Sequence, residues 1–416
     1  MRVRAAWLVV AAVLCELMYW RMAQLGDLRQ HAAQFLGDFG LAFCVYLVVV
    51  WWVRRASARD ALTNRAGLIS IVLASVVFRL TLIGLVPSLS DDAYRYLWDG
   101  RVQQAGLNPY RYAPQDEALA WLRTKEWNSI NHKEIATVYP PFTQLVFRVG
   151  AWLSPSVLTQ KWSFLACDLA IIGLLIVMLI RDHLNPLLCI LYAWHPLVVI
   201  EIAASGHNDS LGVFWLLVGL VLWESRRRLA GTVAFALTFL SKFTSVLLVP
   251  FYLRRAPTYL GIFVAVVGLG YLPFLGTPHL IPGVGQYATS WEFNSSLYGL
   301  LQMCLGSAFL ARGFCGIALG LLGVILASRT SDLTGYTLTM LQAAILLAPV
   351  LEPWYLLWLI PLLCLRPSWG WIIFSGLVVL SYVIVVRYVA QGVWQLPAWV
   401  KWVEYGPLYV WLLVRV

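Results

Sequence analysis

Two adjacent carboxylates, Asp91 and Asp92, sit near the start of the stretch SLSDDAYRYLWDGRVQQAGLNPYRYAPQD, residues 88–116 of a 416-residue chain. One carboxylate can take the proton of an attacking hydroxyl while a second orients that hydroxyl or holds a divalent metal. The same SLSDD is also a good helix start, with Ser90 or Asp91 as cap and acid in the first turn. The two readings are compatible. Arg95, Arg101 and Arg111 share the stretch. A guanidinium is a rigid fork that matches phosphate oxygens, and beside a membrane the phosphates at hand are those of lipids. The rival reading pairs these arginines with Asp91, Asp92 and Asp99. Arg95 lies three and four residues from Asp92 and Asp91, a spacing at which side chains meet on a helix. Tyr94, Tyr96, Trp98, Tyr110 and Tyr112 suit an aromatic belt at a membrane surface, and equally suit stacking against sugar faces.

Four more stretches carry polar chemistry. TVYPPFTQLVFRVGAWL begins with Tyr139 and two prolines that stiffen the chain and open a helix too short to span a bilayer. Its apolar face, Phe142, Leu145, Val146, Val149 and Leu153, predicts a helix lying in the membrane interface. ASGHNDSLG (204–212), YATSWEFNSS (287–296) and LEPWYLLW (351–358) each set acid, amide or imidazole beside aromatics at a helix end. They make His207, Asp209, Trp291, Glu292, Asn294, Glu352 and Trp354 candidate binding residues. His207 and Asp209 could also pair on a metal, but other ligands are distant in sequence, so the metal ligands stay unknown.

The elements that must hold these residues are apolar. Hydrophobic residues make up 61% of the chain and charged ones 12%. Apolar runs of about 15–22 residues recur throughout, close to what a hydrocarbon core of roughly 30 Å requires of a helix. Turn signals do not cut them into the short alternating segments of a barrel, and helices satisfy their own backbone groups in lipid. The reading is an all-α polytopic membrane protein of roughly 12 transmembrane helices. The spans are placed at about 5–20, 35–53, 67–86, 161–180, 186–203, 210–224, 257–275, 311–327, 333–351, 354–365, 368–386 and 404–415. The first run follows Arg2 and Arg4 and reads as a retained helix, since CELMYWRM is a poor cleavage site.

The net charge of +10 is a topology signal, with no nucleic-acid partner implied. Its basic residues gather in short loops: Arg54, Arg55, Arg59 and Arg65; Arg226 to Arg228; Arg254 and Arg255; Arg329; Arg366. Such loops face the cytoplasm. Residues 87–160 then form the first large extracytoplasmic loop, holding the candidate active site, and 276–300 the second. Residues 1–416 read as one integral domain of an inner (plasma) membrane, with the site facing the periplasm or outside. RRRLAGTVAFALTFLSKFTSVLLVPFYLRRAP carries arginines at both ends with too few residues between for two spans. It predicts a re-entrant hairpin that turns at SKFTS and places Lys242 deep in the protein. The intramembrane acids Glu16, Asp38 and Asp168 are functional candidates by default, with pairing to Arg79, Lys242 or polar helix partners as the blander reading. The seven cysteines lie in or beside apolar runs without a CxxC pair, against disulfides and thiolate metal sites.

In order along the chain stand DDAYRYLWDG, LNPYRYAP, YPP before a juxtamembrane helix, GHND at the start of a span, LSKFTSVLLVPF, and EPWYLLWLIPLL. This set resembles the GT-C superfamily of membrane glycosyltransferases, and most of all the bacterial polyprenyl-phosphate-mannose-dependent mannosyltransferases, over nearly the whole chain. The acid pair of that superfamily usually follows the first span, whereas here further spans precede it.

The resemblance implies transfer of a hexose, with mannose favoured, from a polyprenyl-phosphate-linked donor to a lipid or glycan acceptor on the extracytoplasmic face. Inversion would be driven by Asp92 or Asp91 as base, with Arg95, Arg101 and Arg111 near the leaving phosphate. Tyr94, Tyr139, His207, Asp209, Trp291, Glu292, Asn294, Glu352 and Trp354 would line the substrate site, and membrane lipids would surround the prenyl chain. No cofactor is certain, and a divalent metal stays open. The rival class is a transporter or flippase of a lipid-linked sugar, which also uses half-helices and buried charge. Against it, the polar residues gather at one face and no internal repeat is visible.

Overall fold

The computed structural model describes residues 5–56, 64–276 and 282–415. Arg2, Arg4 and Arg59 of the basic segments, and residues 277–281 of the second outer loop, lie outside the described residues. Among the described residues the chain is helical, with one isolated bridge between Phe293 and Val350.

Among the described residues seven helices are long and apolar enough to cross a membrane: Ala5–Leu25, Ala32–Arg55, Arg65–Ile83, Val157–Arg181, Pro257–Phe274, Ala308–Arg329 and Trp369–Gln391. An eighth span is available if Pro186–Ala193 and Pro196–Ala204, bent by 56° at the break, count as one. The expected count of about twelve is not confirmed among the described residues: three of the expected spans are short helices, and Ala398–Arg415 is long enough but carries Lys401, Glu404 and Arg415. Asp209–Glu224 has 16 residues and Leu333–Leu347 has 15, reaching only about 24 Å and 22 Å at 1.5 Å each. The run expected at 354–365 is a 3-10 turn, Pro353–Trp358, followed by the short helix Ile360–Leu365. The re-entrant segment does break at SKFTS. Arg228–Lys242 stops at Phe243 in the left-handed region (φ 49°), and the chain continues through Thr244–Leu248 into Val249–Arg255.

The chain forms two compact units, each from separate segments. The first comprises Met1–Ser90, Leu165–His207 and Glu352–Val416. Its three intramembrane acids have partners in place: Asp168 pairs with the fully buried Arg79 and also accepts from the Tyr192 hydroxyl at 2.7 Å. Asp38 meets Arg21 at 3.2 Å, and Glu16 accepts from Thr81. The blander reading of the three intramembrane acids therefore holds, since an ion without a partner in an apolar interior is costly.

The second unit comprises Asp91–Phe164 and Asn208–Leu351 and contains the acid pair. Its helix Pro141–Leu153 begins at the proline expected to open it. The buried face is small and polar, with Thr143, Gln144, Gly150 and Ala151 beside Phe147, while Leu145, Val149, Trp152 and Leu153 are exposed. An apolar face turned outward matches the interfacial helix that its sequence predicts.

Candidate active site

The acid pair sits at the start of the helix Asp92–Gln104. Its far end closes with Gly106 at φ 75°, Leu107 N–H donating to Val102 O (3.1 Å) and Gly106 N–H donating to Gln103 O (3.1 Å). Leu107 packs on the cluster that holds Val102, completing a Schellman stop. At the near end Asp91 occupies the cap position, but its side chain makes no capping hydrogen bond. Of the two cap residues the sequence offers, Ser90 and Asp91, the structure places Asp91 at the cap without the expected side-chain bond. Its backbone stays near the helical region, at φ −96° and ψ 2°, unlike the extended backbone of a usual cap.

Gly100 lets this helix lie against Pro141–Leu153. A Cβ there would stand 2.3 Å from the carbonyl oxygen of Phe147. The close approach buries a polar network. Asp99 accepts from Arg95 Nε (2.9 Å), Thr137 Oγ1 (2.5 Å) and Gln144 Nε2 (2.8 Å). Arg95 Nη2 donates to Ile135 O at 2.9 Å, and Gln103 Nε2 reaches Gln144 Oε1 at 2.8 Å. Arg95 thus takes the intrahelical-pair reading with Asp99, one turn toward the C-terminus.

On the same helix, Tyr96 is one turn beyond Asp92. Its ring stacks on Phe147 (4.6 Å between centroids, 14°) and meets Tyr139 edge-on at 5.0 Å. Its hydroxyl donates to Asn208 Oδ1 at 3.4 Å. Burial first, and then the carboxylates of Asp92 and Asp209, hold the Tyr96 hydroxyl well above the usual phenol range. Burial and Asp92 do the same to Tyr139. Asp92, Tyr96, Tyr139, Asn208 and Asp209 therefore share one neighbourhood of the second unit. Asp209 is fully buried and accepts from Lys242 Nζ at 2.6 Å.

The remaining candidates of this unit spread more widely. Tyr94 packs against the Trp98, Val102, Leu119 and Ile130 cluster. Arg101 donates to Thr124 Oγ1 (2.5 Å) and Pro155 O (3.3 Å), and Arg111 lies over the Tyr112 ring. Trp291 contacts His132 and Tyr287. Glu292 accepts from Tyr298 (2.6 Å), Gln302 (3.1 Å) and Arg312 (3.2 Å). Asn294 is buried with a left-handed backbone, φ 46°. The flanking Phe293 donates its N–H to Pro349 O (3.1 Å) and accepts from Leu351 N–H (2.8 Å).

In the first unit a second cluster forms around Glu201, which lies in a π-helical turn, Ile200–Ala204. Such turns recur at functional sites. Glu201 accepts from the Tyr382 hydroxyl (2.8 Å) and shares a hydrogen bond with His207 Nδ1 (3.0 Å). Trp354 stacks on the His207 ring at 4.1 Å. Glu352, two residues before it, is half-buried. Among the described residues no three His, Cys, Asp or Glu side chains group as metal ligands.

A family model described as Alpha-(1->6)-mannopyranosyltransferase, N-terminal domain, matches residues 2–256. The chain belongs to this family. It is similar to alpha-(1->6)-mannopyranosyltransferase A of Mycobacterium tuberculosis, at 24% identity over 342 residues, 72% of this chain and 66% of that protein. The protein of the same description from Corynebacterium glutamicum is 27% identical over 199 residues, 44% of this chain and 38% of that one. The chain thus spans less than two thirds of each of these curated relatives. No solved structure matches it. The family bears out the GT-C resemblance carried by the motifs.

The family match covers Asp91, Asp92, the three arginines, Tyr139, His207, Asp209 and Lys242, and stops before Trp291, Glu292, Asn294, Glu352 and Trp354. The sequence marks Tyr96 only within an aromatic series suited to a belt or to sugar stacking, and does not mark Asn208, Glu201 or Tyr382 as site members. Two signals were available for the first and third. Tyr96 follows Asp92 at helical spacing, and Glu201 is an acid inside an apolar run.

Proposed function

We propose that this protein transfers a hexose, mannose by preference, from a polyprenyl-phosphate-linked donor to a lipid or glycan acceptor on the extracytoplasmic face, inverting the anomeric centre. The observation that carries this reading is Asp92 at the start of a helix, one turn before Tyr96, whose ring meets Tyr139 and whose hydroxyl bonds Asn208 beside Asp209. A carboxylate at a helix start beside aromatic rings suits a base next to a bound sugar. In the step, the acceptor oxygen attacks the anomeric carbon and its proton passes to Asp92. The carbon–oxygen bond to the phosphate breaks, and its electron pair leaves with the polyprenyl phosphate. Asp91 is the second carboxylate of the pair. Tyr94, Tyr139, His207, Trp291, Glu292, Asn294, Glu352 and Trp354 remain proposed substrate contacts, and Arg95, Arg101 and Arg111 proposed sources of positive charge.

The relatives' description, alpha-(1->6)-mannopyranosyltransferase, supports mannose and supports a primary hydroxyl as the acceptor. With inversion, an α product requires a β-linked donor. The test is reconstituted full-length protein with a β-linked polyprenyl-phosphate mannose and a mannose-ended acceptor. Transfer to that acceptor, lost when its terminal residue lacks the 6-hydroxyl, supports the reading. Movement of the lipid-linked sugar across vesicles without transfer overturns it in favour of a transporter.

A further inference from the structure

Lys242 ends the helix Arg228–Lys242, and the chain behind it is built to hold it there. Phe243 takes a left-handed backbone, φ 49°, which bulky residues rarely adopt. The Ser241 carbonyl accepts from Thr143 Oγ1 at 2.8 Å, tying this end to the interfacial helix, and Ser245 Oγ donates to Phe235 O at 2.7 Å. The lysine ammonium meets Asp209 at 2.6 Å, yet the two differ in access. The Asp209 side chain is 0% exposed and that of Lys242 25%. An ammonium carries three N–H donors, so one held by a buried carboxylate can still engage a second anion from its open side. The chain Asp92, Tyr96, Asn208, Asp209, Lys242 links this cation to the acid pair: Tyr96 stands one turn from Asp92 and bonds Asn208, the neighbour of Asp209.

We infer that Lys242, positioned by Asp209, binds the phosphate of a polyprenyl-phosphate ligand. The identity of that ligand rests on the transferase reading above. The arginines proposed as further positive charge also hold partners within the chain: Arg95 holds Asp99 and Ile135, Arg101 holds Thr124, and Arg111 lies over the Tyr112 ring. Lys242 supplies fixed positive charge where the phosphate gains its second negative charge as the sugar leaves.

The experiment uses the full chain in lipid nanodiscs and measures affinity for a short-chain polyprenyl phosphate and for the matching uncharged polyprenol. Lys242→Met should weaken phosphate binding at least about 10-fold, the order of a charged hydrogen bond, and leave polyprenol binding unchanged. Lys242→Arg should stay close to the parent. Because Lys242→Met leaves a buried acid, the neutral double variant Lys242→Met with Asp209→Asn is measured too, and should show the same selective loss. Phosphate binding by the double variant as tight as the parent's overturns the inference and makes the pair purely structural. A parent that binds phosphate in this Lys242-dependent way but transfers no sugar sinks the transferase reading and leaves the phosphate site standing. Transfer with no dependence of phosphate affinity on Lys242 does the reverse.

Discussion

Arg95 directs its guanidinium toward Asp99, 2.9 Å away and one helical turn further on. Asp99 in turn is held by Thr137 and Gln144 from the chain after the loop. The acid pair is therefore carried on a helix anchored at its middle. Both partners are nearly fully buried. Removing one of them leaves the other charge unpaired, which costs about 3–5 kcal/mol in such settings.

Arg95→Ala is expected to lower the thermal midpoint of the purified protein markedly. Arg95→Lys, which keeps the charge but loses the fork to Ile135, should lower it less. A melting curve for Arg95→Ala that overlays the parent's would remove the anchoring role.

Asp92→Asn keeps the volume of the side chain and loses proton acceptance. Transfer should fall by at least about 100-fold, the lower end for a general base, with normal protein level in the membrane. Asp91 makes no capping bond, so Asp91→Asn should leave the thermal midpoint unchanged and cost only modest activity. A large loss at Asp91 with none at Asp92 would exchange their roles.

Gly100→Ala tests the close helix approach. The added carbon meets a backbone carbonyl, which cannot rotate aside. Overpacking of this kind costs roughly 1–3 kcal/mol. Because Phe147 also stacks on Tyr96, transfer should drop with it. Unchanged stability and rate would mean the helices can separate at that point without consequence.

Topology is open to single-cysteine labelling in intact cells. Cysteines at 128–134 and 287–296 should react with an impermeant reagent from outside, and those at 226–228 only after permeabilisation. Labelling of 128–134 from the cytoplasm alone would put the acid pair on the wrong face for an extracytoplasmic donor.

The helices were legible because apolar runs and bounding charges follow from the bilayer's thickness alone. Pro141 as a helix start and the break at SKFTS were equally local. Partner choice was not. Arg95 has acids at helical spacing on both sides, Asp91 and Asp92 before it and Asp99 after. Nothing nearby in sequence says that Thr137 and Gln144 will gather at Asp99. The span count of about twelve was left unconfirmed for a related reason. An apolar run that stops at 15 or 16 residues, as in Leu333–Leu347 and Asp209–Glu224, looks like a span until its helix ends are seen.

The segment order of the first unit bears on how the chain is made. Glu201 and His207 leave the ribosome long before Trp354 and Tyr382, with the 144 residues of Asn208–Leu351 emerging between them. The Arg79–Asp168 pair can form early, but the Glu201 cluster has to wait for the last segment of its unit. During synthesis Glu201 and His207 are thus polar residues in an apolar stretch without two of their final neighbours. That interval is when an insertion chaperone or a quality-control protease would meet them, and a chain cut after Leu351 would never leave it.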